Sequence, residues 1–86
     1  MTFAETPGVE EALALAQEMG LVPAAPDGTA VDASGCSEEL TAGEALTAVV
    51  SIDVVGDSLD LYVYGGIGAY RSYLVLPSCA IVDQTP

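Results

Sequence analysis

In the second half of the chain apolar side chains recur at alternate positions, the spacing that gives a β-strand one buried face. Leu46, Ala48, Val50, Ile52 and Val54 alternate with positions that include Thr47, Ser51 and Asp53, which predicts a strand over 46–55. Leu59, Leu61 and Val63 continue the pattern in a second strand, 58–64, with Ser58, Asp60, Tyr62 and Tyr64 on its other face. Gly56-Asp57 between them suits a two-residue type II′ hairpin loop, a register that sets Asp53 opposite Asp60 and Ile52 opposite Leu61. After Gly65-Gly66-Ile67-Gly68, a third strand over 69–76 runs to Pro77. Parity places Tyr70, Ser72, Leu74 and Leu76 on its buried face and turns Arg71 and Tyr73 outward, with Arg71 beside Asp60 or Tyr62. Residues 79–83 are long enough for a fourth short strand.

The first half has a different period. Val9, Ala12, Leu13, Ala16 and Met19 share one side of a helical wheel, and Glu10, Glu11, Ala14, Gln17 and Glu18 share the other. A helix over 7–19 follows, with Thr6 as cap, Pro7 at its first position and Gly20 as its stop. Residues 21–40 read as a connecting loop because Pro23, Pro26, Asp27-Gly28 and Ser34-Gly35 come in close succession. Within or beside it, Thr29 to Ala33 suggests a short edge strand and Thr41-Ala-Gly-Glu44 a capping box. The expected fold is one α+β domain spanning residues 1–86. Its single N-terminal helix packs on a three- to four-stranded antiparallel β-meander, making two layers.

Composition makes this a folded domain: hydrophobic residues are 51% of the 86 and charged residues only 16%, too core-rich for an acidic disordered tail. The charge balance is extreme. Thirteen carboxylates face one basic side chain, Arg71, for a net charge of -12. Such a field repels nucleic acid, anionic membranes and phosphorylated substrates and attracts basic surfaces. Asp53, Asp57 and Asp60 interrupt the most hydrophobic stretch, so no apolar run is long enough to span a bilayer. Residues 1–7 carry neither a basic n-region nor an apolar core, so a cytoplasmic location is expected, with a secreted or periplasmic one as the alternative.

Catalytic chemistry is hard to build from this alphabet. Without histidine or lysine there is no Ser-His-Asp or Cys-His nucleophile and no lysine nucleophile. Asp53, Asp57 and Asp60 do not have EF-hand spacing, and Gly65-Gly66-Ile67-Gly68 leads into a strand without the lysine of a phosphate loop. No catalytic residue, metal or cofactor is expected. Cys36 and Cys79 make no CxxC pair; they are either two buried thiols or a disulfide closing a long loop.

What remains is a surface. Asp53 and Asp60 opposed across a strand pair would destabilise the sheet, which suggests a role outside folding. With Asp57 at the tip and Tyr62, Tyr64 and Tyr73 on the same face, they form a candidate partner-binding site for an arginine- or lysine-rich protein. Glu10, Glu11 and Glu18 form a second acidic patch. In size and charge the chain resembles the small acidic phage proteins that block host defence nucleases, anti-CRISPR proteins and DNA mimics among them. That resemblance rests on composition, transfers no residue, and implies an inhibitor that occupies a basic, nucleic-acid-binding site without touching nucleic acid or membrane itself. Two other readings stand beside it: a disulfide-stapled secreted or periplasmic interaction domain, and a halophile-type soluble domain whose acidity is unrelated to function.

Overall fold

The computed structural model describes residues 1–23, 31, 36, 45–65 and 70–85. Among them, one helix, α1 (Val9–Glu18), lies on a five-stranded mixed sheet ordered β1-β2-β3-β4-β5. The strands are β1 (Thr2–Phe3), β2 (Ala45–Val54), β3 (Asp57–Gly65), β4 (Tyr70–Val75) and β5 (Ile81–Gln84). The α+β class and the antiparallel run from β2 to β5 match the sequence reading. The expected all-antiparallel meander is corrected by β1, which pairs parallel to β2 through Thr2↔Asp53 and Phe3↔Val54. Two residues carry no periodicity, and a parallel pair joins segments far apart in sequence, so nothing local announces it.

The helix begins two residues later than its Thr6-Pro7 signal. Gly8 is the N-cap and makes no side-chain cap bond; instead Asp83, from β5, accepts a hydrogen bond from the Val9 N–H at 2.9 Å on Oδ2. A carboxylate there satisfies an orphan donor and complements the positive end of the helix dipole. Because β1 and β5 are opposite edges of the sheet, residues 4–8 must cross its width to reach this cap. Asp83→Ala is therefore expected to destabilise the protein by about 1 kcal/mol, measured by urea unfolding, with Asp83→Asn close to neutral.

The C-terminal stop is as expected. Gly20, at φ +77, donates to Gln17 O at 3.1 Å, and Leu21 donates to Ala16 O at 2.9 Å, the paired bonds of a Schellman motif. Because the helix proper ends at Glu18, Met19 is not part of the buried stripe and is 55% exposed. Ala12 and Ala16, both fully buried and small, bring the backbone close to β3 and β4. The core between helix and sheet is built from Val9, Ala12, Ala16, Val22, Val50, Ile52, Val54, Leu59, Leu61, Val63 and Leu74. Ser72 lies on this face as its parity requires, whereas Leu76, beyond the end of β4, is exposed.

A bulge redirects one residue. Ala48 to Val54 pair in constant register with Val63 to Asp57, but Leu46 pairs with Tyr64, leaving Thr47 as the extra residue on β2. The strict alternation would put Leu46 on the helix side. The bulge turns it to the other face, where Cys36, Leu46, Tyr62, Tyr64 and Val75 form a second, smaller core.

Candidate functional site

Gly56 takes φ +84 at the second position of the β2–β3 loop, and Val54 pairs with Asp57, so the loop is Val55-Gly56 rather than Gly56-Asp57. A positive φ at the second central residue belongs to type II geometry, which glycine accepts without steric cost. The shift preserves every side chain's face and changes its partner. Asp53 stands opposite Ser58, and Asp60 opposite Ser51, so the expected like-charge pair does not exist. The two aspartates are instead diagonal neighbours on the face away from the helix, about 7 Å apart by strand geometry. Asp57 has the opposite parity and lies at the tip beside Val54. Asp53 and Asp57 are exposed, Asp60 is half-buried, and Val55 projects from the tip 81% exposed.

The three tyrosines share the expected face, but two are not available to a partner. Tyr62 is 3% exposed and Tyr64 4%, packed in the second core with Val75 and Cys36, while Tyr73 is half-buried against it. The Tyr62 hydroxyl accepts a hydrogen bond from the Cys36 N–H at 2.9 Å, and Tyr64 meets Tyr73 edge to face with centroids 5.9 Å apart. Alternation predicts which face they occupy and is silent about their burial on it. Burial pushes the Tyr64 phenol above its ordinary 10.0, and the neighbouring Tyr62 and Tyr73 phenols add to the effect. An acid whose pKa is raised by folding contributes stability that is complete below pH 10.0 and is lost as pH climbs through the raised value. Arg71, expected beside Asp60 or Tyr62, pairs across β3 with Tyr64.

The cysteines resolve the choice left open by the sequence. Cys36 and Cys79 are disulfide-bonded, with Cα atoms 5.4 Å apart. Within the β4–β5 connection Cys79 ends a three-residue turn, Pro77-Ser78-Cys79: its N–H donates to Leu76 O at 2.8 Å, and Leu76 N–H donates to Ala80 O at 3.0 Å. This is the loop in which a type I turn is followed by a left-handed residue, normally glycine, and Cys79 takes that place at φ 72. Sequence reasoning missed it because Pro77-Ser78 signals the turn while the third position lacks its usual residue.

Glu10, Glu11 and Glu18 lie exposed on the helix, as the wheel predicts. Glu11 also joins Phe3, Ala4, Glu5, Thr6 and Pro7 around an open cleft of about 310 Å³, formed where the chain leaves β1. Among the described residues no group of acidic or cysteine side chains is arranged to hold a metal ion, and no helix is long and apolar enough to cross a membrane. The possible strand at Thr29 to Ala33 lies outside the described residues apart from Val31, whose N–H donates to Leu46 O at 2.8 Å. The Thr41–Glu44 capping box also lies outside them. Comparison with protein-family models, with curated proteins and with solved structures finds no match to this chain.

Proposed function

We propose that this protein is a small acidic inhibitor or interaction protein that occupies a basic, nucleic-acid-binding site on a larger protein. The observation that carries the reading is a net charge of -12, with one basic side chain, on a folded domain. Of the described carboxylates, Glu5, Glu10, Glu11, Glu18, Asp53, Asp57 and Asp83 are exposed and Asp60 is half-buried, so the described part of this charge is displayed at the surface. A cleft built to bind a phosphodiester by releasing counterions responds in the same way to carboxylates of similar spacing. The contact we assign is the β2–β3 hairpin, with Asp53, Asp57 and Asp60 around the exposed Val55.

The test is competition. Proteins captured from lysate at low salt and released at high salt are identified and assayed for nucleic-acid binding with and without the acidic protein. Binding should weaken steeply with salt. Asp53→Asn with Asp60→Asn should weaken inhibition about tenfold, equivalent to 1.4 kcal/mol. The same double variant should be equally or more stable, because self-repulsion is relieved. Recovery of partners whose nucleic-acid binding is indifferent to the protein would sink the reading.

A second reading, a secreted or periplasmic interaction domain, is favoured by the Cys36–Cys79 disulfide, a bond that persists in oxidising compartments. Titration of free thiols in protein extracted from its native compartment under acid quench separates the two: free cysteines support the cytoplasmic inhibitor and their absence the alternative.

A further inference from the structure

We propose that the outer edge of β5 is a docking strand for an extended segment of another protein in which apolar and basic side chains alternate. The segment pairs with β5 through its main chain and lengthens the sheet by one strand. β4 separates β5 from the β2–β3 hairpin, and the inference does not depend on the contact assigned there.

Topology makes the edge available. The sheet order ends at β5, and all four of its residues are exposed, Ile81 by 49% and Val82 by 42%. The Thr85 N–H donates inward to Ser72 O at 3.0 Å, so the alternation of an antiparallel ladder turns the Gln84 N–H and C=O outward. Asp83 Oδ1 accepts from that N–H at 3.0 Å, while the C=O points away from β4 as an acceptor for an incoming strand. Val82 is the extra residue of a bulge, because Leu74 pairs with Asp83 and Val75 with Ile81. No lysine or proline stands between Ser78 and Thr85 to block an edge that displays two aliphatic side chains.

The two faces of this edge differ, and the difference sets the pattern of the occupant. Ile81 stands opposite Val75 of the second core, and directly paired residues share a face, so Ile81 marks the side away from the helix. Asp83 stands opposite Leu74 of the helix-side core. Its bond to the Val9 N–H brings the first turn of α1, with exposed Glu10 and Glu11, to that side of the edge. A strand laid along β5 sends successive side chains to opposite faces. Apolar positions of the occupant therefore meet Ile81, and the positions between them meet carboxylates, which favours lysine or arginine there. Main-chain pairing supplies the affinity and the alternating side chains select the partner. Charge decides against a second copy of this chain: two molecules of net charge -12 repel, whereas a basic segment is attracted.

The experiment titrates the full, disulfide-bonded chain with a synthetic peptide of alternating valine and lysine and follows the backbone amide resonances. A second peptide of the same sequence is N-methylated throughout, which keeps its charge and side chains and removes its main-chain donors. Resonance shifts centred on Ile81, Val82 and Gln84 are expected, with the N-methylated peptide binding about tenfold more weakly. Val82→Lys, checked for its fold by circular dichroism, should weaken binding of the first peptide about tenfold as well. No binding of the first peptide, or equal binding of both, overturns the proposal, the latter because charge attraction alone would then suffice. Shifts centred on Val55 and Gly56 overturn it by seating the peptide on the hairpin. Sedimentation that shows dimers without peptide, dissolved by Val82→Lys, overturns it by making the occupant a second copy. Because the N-methylated peptide acts on the parent chain, the proposal can fail even where Val82→Lys does not fold.

Discussion

Replacing Cys36 and Cys79 together with serine is expected to lower the free energy of unfolding by up to about 4 kcal/mol, the value the chain-entropy model gives for a bridge of this span. The cysteines are 43 residues apart in sequence, so the open unfolded chain gains a large loop's freedom when the bond is lost. The full amount applies if the segment carrying Cys36 stays fixed in the folded variant. If that segment is released, the folded state regains part of the same entropy and the loss shrinks toward 2 kcal/mol. A domain of this size is stable by roughly 4–13 kcal/mol, so the variant should unfold at a much lower urea concentration. A second substitution isolates the turn. Cys36→Ser with Cys79→Gly should recover about 1 kcal/mol relative to the serine pair, because φ 72 suits glycine and strains serine. A serine pair as stable as the disulfide-bonded protein would refute the expectation. Equal stability of the glycine and serine variants would mean that the turn carries no strain.

The parts of the fold that were legible in the sequence are those governed by a local period. The alternation of Val50, Ile52 and Val54 with polar neighbours fixes their face whatever the register, because the hairpin shift moves partners by whole pleats. Gly20 announces its stop through a backbone conformation that glycine reaches at no cost. The features not legible depend on contacts across the chain. The helix cap comes from Asp83, 74 residues from Val9, and overrides the local Thr6-Pro7 signal. The Thr47 bulge can be seen only once Leu46 is found opposite Tyr64. The candidate site divides along the same line. Asp53 and Asp60 lie on the face that parity assigns, yet the one-step change of loop removes the opposition that had marked them as unusual. The tyrosines lie on that face too, and they are packed in a cluster with Cys36 and Cys79, a disulfide pair that the alternation pattern does not encode.

Leu61→Ala should be the most damaging single substitution on the helix side, with an expected loss of about 3 kcal/mol. Leu61 is fully buried in the central strand, pairs with Val50 on one side and Leu74 on the other, and shares one core with both. Truncation there removes apolar burial and leaves a cavity that flanking strands, fixed by their ladders, cannot close. Val55→Ala, at the 81% exposed tip, should by contrast stay within about 0.5 kcal/mol of the parent protein. Leu61 and the disulfide act on opposite faces of one sheet, in clusters that share no member. Their losses should therefore add, and Leu61→Ala in the cysteine-free background should lose about 5–7 kcal/mol, the sum of the two estimates. Urea unfolding of the three variants measures each term. A combined loss well short of the sum would mean that the two cores are coupled through the sheet.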